Sequence, residues 1–145
     1  MMLSRQASHA LKALLELAGN PGRWRSTQQL AAAQQLPEPM LEQLLLRLRR
    51  AGVLEARRGR LGGYRLAKPA AAISLASVLA GLGEAGPSGE PGQESSPADQ
   101  VTRALQRRLE LARQQALETL TVEDLLFDLR SAEASTDCAA GLLLG

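Results

Sequence analysis

Residues 26–68 run STQQLAAAQQLPEPMLEQLLLRLRRAGVLEARRGRLGGYRLAK, and the architecture follows from this stretch. Ser26 is a capping residue, and Gln29, three positions on, gives the spacing of a capping box. That spacing predicts a short helix ending near Gln35. Pro37 and Pro39 are excluded from a helix interior but suit a turn and a first helical turn, so a second helix starts there. Met40, Leu41, Leu44, Leu45 and Leu48 fall on its apolar face. Gln43, Arg47 and Arg50, at i, i+4 and i+7, form a separate polar stripe. Gly52 stands where a left-handed residue closes a helix. Two helices joined by a tight turn, the second with a basic face, are the parts of a helix-turn-helix.

The next residues extend this unit. Val53–Arg57 and Tyr64–Ala67 are short strand-like runs, separated by Arg58-Gly59-Arg60-Leu61-Gly62-Gly63. Glycine supplies the backbone freedom that a hairpin tip needs, and Gly62-Gly63 is itself a turn signal. A basic hairpin directly after a recognition helix is a wing. Arg57, Arg58, Arg60 and Arg65 crowd it, and a narrow minor groove concentrates the negative potential that draws arginine in. The alternative is a solvated basic hairpin with no partner.

Charge is distributed in the same sense. The 145 residues carry a formal net charge of +2. Residues 1–68 hold 12 Lys and Arg against 4 Asp and Glu, whereas residues 69–145 hold 5 against 11. A basic half bearing a helix-turn-helix is an electrostatic footprint for phosphate. Aromatic residues make up 2% of the chain, which favours Leu/Ala helix packing and argues against base-stacking platforms for single strands. Trp24, in the connector Pro21–Arg25, reads as a packing residue beneath the loop. No run of about 18 apolar residues suggests a membrane span, and no signal peptide is apparent. Cys138 is the one cysteine, which suits a reducing cytoplasm.

Outside the central stretch, Ser4 caps a first helix with Ala7, Leu11, Leu14, Leu15 and Ala18 on its buried face and Gly19-Asn20 at its end. Ser74 caps a short helix, with Ile73 and Val78 at the spacing of a hydrophobic staple. Residues 83–97 hold four glycines, three prolines and three glutamates and no basic residue, a flexible acidic loop. Ser96, Pro97 and Asp99 then open a long helix. Val101, Leu105, Leu109, Ala112, Ala116 and Leu120 form a stripe along it that needs a partner. A second copy of the chain fits, because helix-turn-helix proteins commonly read two half-sites as symmetric dimers; folding back onto its own domain is the alternative. Thr121 caps a final short helix, with Asp124 at its third position. The expected division is a DNA-binding domain at 1–82, the loop at 83–97, dimerisation and final helices at 98–130, and an unassigned tail at 131–145.

Leu41-Glu42-Gln43-Leu44, Leu48-Arg49-Arg50-Ala51-Gly52 and Arg58-Gly59-Arg60-Leu61-Gly62-Gly63-Tyr64-Arg65-Leu66 resemble the Rrf2 family of bacterial winged-helix regulators. So does the opening run Ser8–Ala18, and so does the order of parts. The resemblance is specific over roughly residues 4–80 and architectural beyond. It implies a recognition helix in the major groove, with Glu42 and Gln43 facing bases, and Arg58 as the minor-groove arginine. Pro39 stands where the family often has a small hydroxyl residue, Met40 replaces a common aromatic, and Arg60 replaces a usual proline. Cluster-bearing members carry three cysteines in the loop before the long helix, and residues 83–97 have none. A cluster is normally held by four thiolates, so no iron–sulfur cluster is expected. A zinc site lacks ligands too, with His9 the single histidine, expected to be structural.

The expectation is therefore a mainly α protein: a winged helix-turn-helix with a two-stranded wing, plus a long dimerisation helix. Its function is that of a homodimeric transcriptional regulator, a repressor, on a partly palindromic operator in double-stranded DNA. The candidate DNA-binding residues are Ser26, Thr27, Glu42, Gln43, Arg47, Arg50, Arg57, Arg58, Arg60, Gly62, Gly63 and Tyr64. A winged helix used for protein interaction, without specific DNA binding, is the second reading. An enzyme is not expected, since Cys138 and His9 lie at opposite ends of the chain with no phosphate loop or metal spacing between them.

Overall fold

The computed structural model describes residues 3–84 and 96–144, with side chains of the last helix described as far as Thr136. Six α-helices and one two-stranded antiparallel sheet follow in the order α1 (Arg5–Gly19), α2 (Thr27–Gln34), α3 (Glu38–Arg50), β1 (Leu54–Arg57), β2 (Gly63–Leu66), α4 (Leu75–Gly81), α5 (Pro97–Thr119) and α6 (Val122–Leu144). The capping residues sit where the sequence expects them. Ser4 accepts from the Ala7 amide, Ser74 from Ser77 and Ser96 from Asp99. Ser26 and Gln29 form a reciprocal box, at 3.1 Å for the Gln29 amide to Ser26 Oγ and 3.0 Å for the Ser26 amide to Gln29 Oε1.

α2 ends on Gln35, whose φ of 54° is left-handed, and the Leu36 amide reaches back to the Ala31 carbonyl at 2.9 Å. This closure lets Pro37 follow at once as the N-cap of α3, completing the tight turn between the two helices. Gly52, with φ of 81°, redirects the chain from α3 into β1. The strands run one residue off the expected runs and pair Leu54 with Leu66, Glu55 with Arg65, Ala56 with Tyr64 and Arg57 with Gly63.

The core is a single Leu/Ala cluster. Leu14 and Leu17 of α1, Leu30 of α2, Leu41, Leu44, Leu45 and Leu48 of α3, and Ile73 and Val78 around α4 are all essentially inaccessible to solvent. Two members come from far along the chain. Val122 and Leu126 of α6 are buried in the same cluster, so the winged-helix unit read as residues 1–82 draws core residues from beyond it. They are brought back by a short antiparallel bridge between Ser74 and Thr121, in which the Leu75 amide donates to the Leu120 carbonyl at 2.8 Å and the Val122 amide to the Ile73 carbonyl at 3.0 Å. Thr121 and Asp124 cap α6 reciprocally. The last helix is not short: it continues through the expected tail to Leu144. Its described side chains after Arg130, residues 131–136, are exposed, and without a buried face they leave no apolar stripe in the sequence.

Candidate nucleic-acid interface

Burial of Leu41, Leu44, Leu45 and Leu48 against the core turns the opposite side of α3 outward. Glu42, Gln43, Arg47 and Arg50 are all exposed there, as a period of 3.6 requires. Arg49, which sequence reading left out, is exposed as well. Its charge and that of Glu42 both act on Tyr64 of β2, which places the wing beside α3. Burial, with the Glu42 carboxylate adding to it and the Arg49 guanidinium opposing it, holds the Tyr64 phenol above its ordinary value. The phenol therefore stays protonated at neutral pH and keeps a proton to donate.

A third backbone segment completes the wing. Arg25 pairs with Tyr64 on the edge of β2, its amide donating to the Tyr64 carbonyl at 3.0 Å and the Tyr64 amide to the Arg25 carbonyl at 2.7 Å. The next residue is Ser26, the cap of α2. The half-buried Ser26 and Thr27, and with them the amide-rich start of α2, are thereby fixed next to the wing. Gly63 is required by this approach. A Cβ there would lie 2.2 Å from the Arg25 carbonyl oxygen, and φ is +139°. Gly62 is required by the hairpin itself, since its Cβ would lie 2.1 Å from the Arg57 carbonyl oxygen. The pair read as a turn signal does two jobs, and only one of them is the turn.

The wing arginines are not equivalent. Arg57, Arg58 and Arg60 are exposed around the Gly59–Gly62 turn. Arg65 is half-buried, ion-paired with Glu55 across the strands and stacked over the Trp24 ring at 4.3 Å from its centroid. Arg57 lies 5.9 Å from the same centroid. Trp24, expected as a packing residue beneath the loop, packs on the guanidinium groups of the wing strands and lies outside the apolar cluster. Arg25, its neighbour along the chain, points elsewhere, reaching Glu16 of α1 at 3.7 Å, and Gln34 of α2 donates to the same carboxylate at 2.8 Å. No composition signal marks this arrangement; it needs four elements already in place.

Comparison with known proteins bears on what this surface serves. A family model described as Rrf2, iron-dependent transcriptional regulator, matches residues 3–128. The chain belongs to the Rrf2 family. A relative in Synechocystis, named as an HTH-type transcriptional regulator, is 41% identical over 138 residues, covering 93% of this chain and 94% of that one. The transcriptional regulator IscR of Cereibacter sphaeroides is 39% identical over 89 residues, which is 58% of this chain and 56% of its own length. Among solved structures, CymR of B. subtilis, described as the global cysteine regulator, superposes with a TM-score of 0.75 at 31% identity, covering 87% of this chain and 96% of CymR. IscR of T. potens gives 0.74 at 28% identity over 91% and 90%. This Rrf2 chain is thus a DNA-binding transcriptional regulator with a winged helix-turn-helix, and not an enzyme.

Two further features of the Rrf2 chain concern assembly and metal. On α5, Val101, Leu105 and Leu109 are 69%, 53% and 57% exposed, and Ala112, Ala116 and Leu120 lie open along the same stripe. No described part of the chain covers them. Leu117, on another face of α5, packs against the core instead. Among the described residues no group of three or more His, Cys, Asp or Glu is placed to hold a metal ion. Residues 85–95 and the Cys138 side chain lie outside the described residues, and the sequence of 85–95 contains neither Cys nor His. His9 is half-buried on α1 with its Nδ1 atom unpartnered among the described residues. No helix among them is long and apolar enough to cross a membrane.

Proposed function

We propose that this chain represses transcription as a homodimer bound to a partly palindromic operator in the cytoplasm. The exposed apolar stripe of α5 carries the reading. A row of Val and Leu side chains left in water on an otherwise well-packed chain demands a partner, and an identical stripe on a second copy is self-complementary. Two copies then present two winged helices, each with Glu42, Gln43, Arg47 and Arg50 for the major groove and Arg57, Arg58 and Arg60 for the minor groove. Ser26 and Thr27 at the start of α2, and the protonated Tyr64, add phosphate contacts, while Gly62 and Gly63 let the hairpin backbone come close.

The dimer works without an iron–sulfur cluster. One cysteine per chain brings two thiolates to a dimer, and the usual cluster needs four. The iron dependence in the family's description is therefore not carried over to this chain. Selecting bound fragments from the organism's own genome, followed by titration at several salt concentrations, tests the function. A shared inverted motif bound by two chains, with strongly salt-dependent affinity, is the expected result. Affinity for duplex DNA that is absent, or insensitive to salt, makes the winged helix a protein-interaction module instead.

A further inference from the structure

The outer face of the wing is built around one ring. Along β1 and β2, Glu55, Arg57 and Arg65 share a face, because Glu55 and Arg57 are two residues apart and Glu55 pairs with Arg65. Tyr64 lies on the opposite face, packed against the core. The Trp24 ring covers the outer face, with Arg65 at 4.3 Å and Arg57 at 5.9 Å from its centroid. Trp24 reaches this position because the next residue, Arg25, is hydrogen-bonded to both the amide and the carbonyl of Tyr64 in β2. A two-stranded ribbon is marginal in water unless something packs on it. Here the packing group is aromatic and its partners are cations, an attraction that holds guanidinium groups in place without neutralising them.

We infer that Trp24 is a positioning residue for DNA binding, holding the arginine-bearing face of the wing in the conformation that meets the duplex. The two arginines have different parts. Arg65, clamped between Glu55 and the ring, fixes β2 and is spent on structure. Arg57, exposed and at the limit of the stacking distance, is steered by the ring and free for phosphate. The inference rests on the wing being a DNA-contacting element.

The test compares Trp24→Phe and Trp24→Leu in the full-length protein, both of which keep apolar bulk at the site, with Arg58→Ala as the control for the wing. Leu removes the ring face and should weaken binding to operator and random duplex alike by about 2- to 5-fold per wing, the worth of an exposed cation–π contact. Compounded over a dimer, that is about 4- to 25-fold. Phe should restore most of the loss. In an Arg57→Ala background, Trp24→Leu should lose most of its effect, whereas in a Gln43→Ala background the effect should persist in full. A merely structural role predicts loss with Phe and Leu alike, or equal loss in every background, and overturns the inference. If Arg58→Ala binds as wild type, the wing reading itself fails; if Arg58→Ala weakens binding but Trp24→Leu does not, the inference about Trp24 alone fails.

Discussion

Arg58 and Gln43 sit on different elements, and in the proposed complex they touch different parts of the duplex. Arg58, at the start of the wing turn, offers charge to phosphate and to the minor groove, where binding depends on potential and width more than on base identity. Gln43, exposed on α3, can pair with adenine through two hydrogen bonds. Arg58→Ala should therefore weaken binding to operator and random DNA together and flatten the salt dependence, by about 0.9 in the log–log slope per lost contact, doubled in a dimer. Gln43→Ala should cost roughly 1–3 kcal/mol per half-site on the operator and little on random sequence. Titrations of both duplexes across salt concentration separate the two. An Arg58→Ala protein that loses operator affinity alone, at unchanged salt slope, would make the wing a base reader. Gly63 presents a different kind of residue-level demand. With Cβ forced to 2.2 Å from the Arg25 carbonyl oxygen at a φ of +139°, Gly63→Ala must part the connector from β2. The expected outcome is a loss of more than about 1 kcal/mol in urea unfolding, together with weaker DNA binding. A variant of wild-type stability and affinity contradicts the pairing.

At the scale of elements, α5 and α6 divide their faces between two uses. α5 turns Leu117 to its own domain and leaves Val101, Leu105 and Leu109 open. α6 does the reverse in its first turns, burying Val122 and Leu126 while Phe127 stays 70% exposed. Leu105→Lys combined with Leu109→Lys places two charges on the proposed dimer seam and none in the core. Sedimentation should then show folded monomers, with circular dichroism unchanged. A dimer that survives both substitutions puts the interface on another face. Val122→Ala is the contrasting case: it empties a fully buried site and should destabilise the winged-helix unit itself, by about 1–3 kcal/mol in urea unfolding. If it leaves stability untouched, α6 is not part of that core.

For the molecule as a whole, charge and donor atoms set the limits. The basic half, residues 1–68, contains the helix-turn-helix and wing, and the acidic half, residues 69–145, contains α5 and α6. Repulsion from phosphate should keep the second half off the duplex and so help to orient the first. The chain carries a single thiol, that of Cys138. Protein purified with iron supplied and air excluded should be colourless, and iron and sulfide assays should show neither in stoichiometric amount. A visible charge-transfer band with iron and sulfide in proportion to protein contradicts this.

Reading the residues in order was enough for the caps and turns that close within a few positions, though not for the extension of α6 beyond Arg130. Ser26 and Gln29 cap α2, the Gln35–Pro37 turn launches α3, and Arg58–Gly63 turns the hairpin, because each bond involved spans three to five residues and needs no other part of the chain. The polar face of α3 was legible for the same reason, since helical periodicity fixes which side chains oppose the buried leucines. Residues farther apart behaved differently. That Gly63 makes room for Arg25, that Trp24 stacks on Arg65 and Arg57, that Arg49 lies beside Tyr64, and that Val122 and Leu126 enter a core centred on α1 and α3 all depend on how the elements pack. Such contacts join positions from 15 to about 100 residues apart, and their geometry is set by the summed packing of the whole core, which no local spacing encodes.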